Sequence, residues 1–338
     1  MDVLSDVLRI VRLTGSIFFT ADLYDPWSVS SPSHEVLLRY MPKNAECVTL
    51  FHIVKEGGCW FKTESSKSFL LEKGSVIIFP QSCPHIMCSS MSIRPKPVIE
   101  LLKFEKITGL LEYGGNGERT KLICGYLFCD QRFNPLLGAM PEMLILLPQK
   151  ENGNPDLPGL FPELLPNVLT IFPGSWLDVT INHLITEIGG KNAGSDTIIT
   201  RLTELMYVEV LRNYMQGLPE KSNGWLAGLR DAEVGKALMY LHAHPEEKWN
   251  VEQLAEKVGV SRSAFAQRFS DLIGESPIKY LTAWRMQLAQ HLLLQPDLSM
   301  PLVAEKVGYD SDIAFNRAFK RYVGVPPAKW RDHKLASA

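Results

Sequence analysis

The C-terminal part of the chain states one pattern twice, and this limits what it can fold into more than any other feature. Ala255-Glu256-Lys257-Val258-Gly259 returns as Ala304-Glu305-Lys306-Val307-Gly308. Ala264-Phe265, Phe269, Gly274, Pro277 and Lys279 return as Ala314-Phe315, Phe319, Gly324, Pro327 and Lys329. The offset changes from 49 to 50 residues just after the shared glycine, where a turn absorbs the slip. Two copies are too few for a solenoid, so this is a duplicated small unit.

Each copy has a physical reading. Val251, Leu254, Ala255 and Val258 follow i, i+3, i+4, i+7 spacing, which makes one face of a short helix apolar. Gly259 permits the left-handed backbone that ends it. Ser261 suits the N-cap of a second helix, in which Phe265 and Phe269 stand four apart and face the core, and Gly274 closes that helix. In the second copy Leu302, Val303 and Val307 form the first helix, Gly308 turns, Asp310 or Ser311 caps, and Phe315 with Phe319 anchors the second. Helix, tight glycine turn and helix make a helix-turn-helix, whose second helix can lie in the DNA major groove. Between the copies, Ile278 to Leu294 carries a longer amphipathic pattern halted near Pro296. A helix there would hold both units at fixed separation, with their DNA sites about one helical turn, roughly 34 Å, apart.

The polar faces of the second helices point to the partner. Between Glu256 and Asp271 lie Lys257, Arg262 and Arg268 with no acid, and residues 313–331 carry Arg317, Lys320, Arg321, Lys329 and Arg331 with none. Ser261, Arg262, Ser263, Gln267 and Arg268 in the first copy, and Ser311, Asp312, Asn316, Arg317, Lys320 and Arg321 in the second, are the candidate contacts to double-stranded DNA. Arg, Gln and Asn read guanine and adenine edges bidentately, while Lys and Ser suit phosphates. Net charge is −2 over the chain, but residues 230–338 hold 15 Lys and Arg against 13 Asp and Glu, so the positive balance is local and weak. Residue placement carries the argument, not bulk charge.

Residues about 230–332 resemble the AraC/XylS family of transcription regulators. The likeness runs through Trp284-Arg285-Met286, Ala304 to Gly308-Tyr309, Phe319-Lys320-Arg321, Gly324, Pro327 and Trp330-Arg331. It implies two recognition helices, at about 261–270 and 311–322, in successive major grooves. Asp310 and Asp312 depart from a basic pattern at the head of the second: either they accept from cytosine N4, or this helix contacts mainly backbone through its later basic residues.

The N-terminal half reads differently. Short β-rich runs (Ile17–Leu23, Val36–Tyr40, Val48–Val54, Cys59–Lys62, Phe69–Leu71, Val76–Phe79) alternate with Gly, Pro and Ser turns, which predicts a small β-barrel or jelly roll. Gly74-x5-Pro80-x4-His85, with His52-x3-Glu56-Gly57 upstream, resembles the two short motifs of the cupin superfamily. Cys124-Gly125, Pro135-Leu136-Leu137 and Leu144 to Pro148 also fit the cupin-type sensor of one branch of AraC-like regulators. Leu50 stands where the first motif has a histidine, and Ser82 where the second has a glycine. The resemblance implies a site for a metal or ligand at His52, Glu56 and His85. With Cys124 added, the mixed N and S set would suit zinc. Three outcomes stay open: side chains that merely hydrogen-bond, a bound metal, or cupin catalysis.

All six cysteines lie in the first 130 residues and read as thiols in a chain of this size. Cys83 and Cys88 flank His85, which offers a redox or electrophile sensor as a rival chemistry; the plainer reading is small buried hydrophobes. Residues 149–174, rich in Pro, Gly and Asn, read as a loop leading to amphipathic helices at Trp176–Ile188 and Thr197–Met215. In the second of these, Ile198, Leu202, Leu205, Val208 and Leu211 form a stripe for packing on the barrel or for pairing two copies.

The expected organisation is α+β: a cupin-like sensor at 1–150, a connecting loop and possible dimerisation helices at 151–225, and an all-α double helix-turn-helix at 226–338. No uncharged apolar run reaches the roughly 18 residues of a membrane helix, and Met1 to Asp6 is acidic where a signal peptide is basic. A cytoplasmic, non-enzymatic regulator follows, with DNA, a small-molecule effector, a second copy and, for an activator, RNA polymerase as its partners.

Overall fold

The computed structural model describes residues 2–10, 14–41, 45–66, 68–102, 109–129, 135–150, 166–190 and 192–336. These fall into two compact units, one within Leu13–Cys129 and Met140–Leu218, the other within Met1–Arg12, Asp130–Ala139 and Pro219–Ala338. In chain order the elements up to residue 218 are α1 (Val3–Ile10), β1 (Thr14–Tyr24), β2 (Ser28–Ser30), α2 (His34–Leu38), β3 (Cys47–Glu56), β4 (Gly58–Thr63), β5 (Phe69–Glu72), β6 (Val76–Phe79), β7 (His85–Cys88), β8 (Lys96–Pro97), α3 (Val98–Leu101), β9 (Gly109–Gly114), β10 (Arg119–Cys129), α4 (Pro135–Gly138), β11 (Leu144–Pro148), β12 (Val168–Ile171), α5 (Trp176–Gly189) and α6 (Ser195–Gly217). Then follow α7 (Trp225–Arg230), α8 (Ala232–Ala243), α9 (Val251–Val258), α10 (Arg262–Ile273), α11 (Pro277–Leu293), α12 (Met300–Lys306), α13 (Asp312–Val323) and α14 (Pro327–Leu335).

The first unit is built on two sheets, with strand orders β12-β11-β6-β3-β10-β1-β9 and β5-β4-β7-β2-β8. Among the described residues both sheets are open-ended, so the expected closed barrel becomes a β-rich domain of two facing sheets. One core joins them: Leu23, Ile77, Phe79 and Leu122 from the first meet Phe61, Phe69 and Leu71 from the second. β3 and β10 are buried along nearly their whole length rather than on alternate residues, because α6 packs on the same sheet through β1 and β12.

Three further expectations change. Val36–Tyr40 is not a strand: α2 starts behind Ser33, which lies in extended backbone as its N-cap, and Leu37-Leu38 favour helix where Val36 alone is β-branched. The loop expected over 149–174 contains β12, which pairs in parallel with β11 from Ile145↔Val168 to Pro148↔Ile171; residues 151–165 lie outside the described residues. The buried stripe of α6 is also shifted by one position, to Ile199, Thr203, Met206, Tyr207, Val210, Leu211 and Tyr214. Ile198 and Leu205 are therefore left 45% and 54% exposed.

The second unit is wholly helical among its described residues. α8, α9 and α10 form one three-helix group and α11, α12, α13 and α14 the other, with Phe265, Phe269, Phe315 and Phe319 fully buried. Matching arginines lock the two groups. Arg285, behind Trp284, donates from Nε to the Pro245 carbonyl (2.6 Å) and from Nη2 to that of Glu247 (2.7 Å). Arg331, behind Trp330, donates likewise to the carbonyls of Leu293 (2.8 Å) and Leu298 (2.7 Å). Each arginine thus ties the helix that closes a unit to the loop that precedes its helix-turn-helix. Gly308 sits at φ +79, and a Cβ there would lie 2.6 Å from Arg285 Nη2 and 2.7 Å from the Glu246 carbonyl, so both backbone shape and space demand glycine.

Candidate functional site

The second helix of each copy, α10 and α13, is assembled by local chemistry. Asn250 caps α9 in a reciprocal box: it accepts from Gln253 N (2.8 Å) while Gln253 Oε1 accepts from Asn250 N (3.0 Å). Ser261 Oγ accepts from Ala264 N at 3.3 Å, and Ser311 Oγ accepts from Ala314 N at 3.3 Å. Both serines are therefore N-caps of α10 and α13. Gly274 and Gly324 end those helices in left-handed backbone. Behind the caps, residues 261–264 and 311–314 are all exposed, while Phe265 and Phe315, next in each chain, are wholly buried. Each helix therefore offers its first turn to solvent with its axis held from below.

The polar residues on these faces differ in how free they are. Arg262 pairs with Glu252 on α9 (2.5 Å), both side chains largely exposed; such a pair is worth little and opens readily. Gln267 donates to Asp271 (2.7 Å), Asn316 donates to the Asp312 carbonyl (2.8 Å), and Ser263 lies 3.4 Å from Ser261. Arg268 is engaged more firmly. Its Nε and Nη2 reach Asp231 Oδ2 at 2.9 and 2.6 Å, and Nε lies 2.9 Å from Glu233. Asp231 is itself the N-cap of α8, accepting from Glu233 N and Val234 N. Burial alone would raise the Asp231 carboxyl, but Arg268 and the two amides outweigh it and hold it below its ordinary value. Arg268 thus anchors α10 to α8. In the second copy Asp310 pairs with Lys248 (2.7 Å). Arg317, Lys320 and Arg321 are exposed, and no ion pair of Arg317 or Lys320 occurs among the described residues. Ile313, not foreseen from sequence, stands exposed in the first turn of α13; aligning it with Ser263 of the first copy would have flagged it.

In the sheet unit, His52 and His85 meet inside the core. His85 Nδ1 lies 2.8 Å from the Cys83 carbonyl, which only accepts, so the proton sits on Nδ1 and Nε2 is a lone pair. His52 Nε2, 2.9 Å away, then donates to it. Ser31 Oγ accepts from His85 N at 2.9 Å and packs against Nδ1. Phe79 stacks on the His85 ring with centroids 4.2 Å apart. Burial pushes His85 down to about 4 and, joined by His85, holds His52 well below its ordinary value. Both rings are neutral. They border a cavity of about 40 Å³ whose other walls are chiefly apolar, among them Leu23, Met87, Leu111 and Cys124.

This geometry corrects the zinc expectation. Among the described residues no three His, Cys, Asp or Glu side chains converge to hold a metal ion. The two histidines direct Nε2 at each other, Glu56 lies half-exposed near Arg119 (3.9 Å), and burial holds the Cys124 thiol up and protonated. The set does not fit zinc. Ser82, standing where the cupin motif has glycine, has φ 48, and its Oγ meets His34 Nδ1 at 2.6 Å. Cys83 donates to Glu142 (2.7 Å), and burial together with that carboxylate pushes its thiol up to about 12. Burial raises Cys88 as well.

A family profile described as Cupin matches residues 2–162 and 154–216, and one described as a helix-turn-helix domain matches residues 254–333. The chain is 25% identical over 335 residues to the HTH-type transcriptional regulator AlkR of Acinetobacter baylyi, covering 98% of this chain and 99% of that one. It is 28% identical over 340 residues to an uncharacterized HTH-type transcriptional regulator of Haemophilus influenzae, covering 98% of each. Among solved structures, the DNA-binding domain of AdpA in complex with a target DNA is 34% identical, covering 31% of this chain and 95% of that one, with a TM-score of 0.30. Among the described residues no helix is long and apolar enough to cross a membrane.

Proposed function

Since the chain belongs to the AraC/XylS family of helix-turn-helix transcription regulators with an N-terminal cupin-type domain, we propose that it reads a specific duplex DNA sequence through α10 and α13 and that residues 1–150 tune this binding. The observation that carries the reading is the pair of capped helices with fully exposed first turns, each set on a buried phenylalanine pair and locked by its own arginine. Arg262, Ser263, Gln267, Asp312, Asn316, Arg317, Lys320 and Arg321 are the contacts; Ser261 and Ser311 contribute as caps and Arg268 as a positioning residue.

Residues 1–150 act as the sensor, their two sheets forming the walls of a jelly roll around the histidine pair. The effector is a small apolar organic molecule that must open the cavity beside the histidine pair, since at about 40 Å³ it has room for no more than a water, while its walls are apolar and its histidines neutral. Nothing favours a thiolate sensor at Cys83 or Cys88, whose surroundings hold both thiols protonated. Residues 151–225 join the halves and pair two copies through the exposed Ile198 and Leu205 side of α6. The protein acts in the cytoplasm, with RNA polymerase as a partner if it activates.

One footprinting series tests this. Arg317→Ala lowers operator affinity about tenfold and reduces the salt slope by about one, without changing the melting temperature. Arg268→Ala lowers both affinity and melting temperature, because it frees α10 and strands Asp231. His85→Ala keeps wild-type affinity but loses the response of a promoter reporter to inducing conditions. The titration end-point gives two copies per operator. Wild-type footprints from both arginine variants would sink the DNA assignment, and an unchanged response would remove His85 from the sensor.

A further inference from the structure

The two recognition helices are not chemically equivalent: they differ at several exposed positions, Arg262 against Asp312 and Gln267 against Arg317 among them, and one of the differences introduces an exposed apolar side chain. At the position of Ser263 in the first copy, the second carries Ile313. Ile313 is 66% exposed, the most exposed large apolar side chain among the described residues of the helical unit, and it takes no part in the core of the second copy. Packing does not explain it, and neither does helix propensity, since a β-branched residue is no better than serine there. Asn316, Arg317 and Lys320 stand three, four and seven residues further on, so the four form one strip along the outer face of α13. The strip runs from an aliphatic group through an amide to two cations without ion pairs.

The geometry points to Ile313 as the specificity-determining residue of the second helix, seated on the C5-methyl group of a thymine in the major groove. The thymine methyl is the apolar feature among the base edges there. The cations beyond Ile313 on the same strip match a polyanion rather than an apolar protein surface, which favours DNA as the occupant. Ser263, lacking an aliphatic group, gives the first helix no such preference, so the two half-sites are read by different chemistry. This inference rests on α13 being a DNA-reading helix.

Binding sites selected from random duplexes by the full-length protein locate the operator. Each thymine under the second unit is then replaced singly by deoxyuridine, which removes only the methyl group. For the wild type, one or two of these replacements weaken binding about fourfold, the effect of one buried methyl group. Ile313→Ser melts like the wild type, binds the all-thymine operator more weakly by that factor, and no longer distinguishes deoxyuridine from thymine at that position. A methyl effect that persists in Ile313→Ser, or none in the wild type, overturns the assignment while leaving sequence-specific binding intact. A variant that binds normally but fails to activate a reporter places Ile313 against a protein partner and also overturns it. Failure to select any consensus instead overturns the DNA-binding reading itself.

Discussion

Phe315→Ala is expected to destabilise the helical unit by about 3–5 kcal/mol, the usual cost of truncating a buried phenylalanine, and to abolish operator binding. Phe315 has no exposed surface. Its ring meets Tyr309 edge-on at 5.8 Å and Phe319 at 5.7 Å, and Phe319 in turn meets Trp330 at 6.0 Å. The row therefore links the turn before α13, α13 itself and α14. Domains of this kind are stable by only about 5–15 kcal/mol, so the cavity removes a large share of that margin and releases the helix that carries Ile313, Asn316 and Arg317. Chemical denaturation read beside Arg317→Ala checks it, because the exposed arginine leaves stability alone. A loss under about 1 kcal/mol would show that Phe315 does not hold α13 in place.

The second large effect is acid lability centred on His242. Trp225 Nε1 donates to the Tyr280 hydroxyl at 2.9 Å, which leaves that hydroxyl to donate to His242 Nε2 at 2.8 Å. His242 must then be neutral, and its ring lies 3.9 Å from that of Trp284. Burial pushes it down to about 3 from an ordinary 6.5. A folded value below the unfolded one means that unfolding takes up a proton at intermediate pH. The contribution is fully present above about 6.5 and is lost as pH falls toward about 3. Between pH 7 and 4.5 this removes roughly 2–3 kcal/mol. Asp231, held below its ordinary 3.8, adds the same sign only at lower pH, and Asp6, raised by burial, carries the opposite sign. In the sheet unit His85 and His52 have the same sign, so the diagnostic comparison is His242→Gln. Its stability should fall less steeply by that amount over the same range. Equal slopes for the two proteins would mean that His242 does not carry the effect.

Much of the DNA-reading half was legible in the residues. Ser261 and Ser311 as caps, Gly259 and Gly308 as left-handed turns, and the Phe265/Phe269 and Phe315/Phe319 pairs each depend on neighbours within a few positions, where capping and the 3.6-residue period operate. The cupin-type half was less legible. The cupin-type motifs led to His52 and His85, which do meet, but the zinc set they implied does not form, because spacing along a strand does not say which way two imidazoles point. Glu56 fails as a ligand because it does not converge with the histidines and instead lies 3.9 Å from Arg119, 63 residues away in the chain. The α6 stripe was misphased by one residue because several apolar phases overlap in Ile198–Leu211, and only the sheet beneath selects one.

By itself the sequence determined the duplication, the caps, glycine turns and phenylalanine pairs of its two copies, and the β-rich character of the N-terminal half. All of these follow from local propensity and periodicity. Tertiary structure decided which charges are free and which are engaged: Arg268 looks like Arg317 in sequence, yet it is tied to Asp231, 37 residues away, while Arg317 is left to solvent. It also decided that the histidines face each other in an apolar core. Ion pairing, burial and the convergence of ligands depend on distances between segments remote in the chain, and no pattern within one segment encodes them.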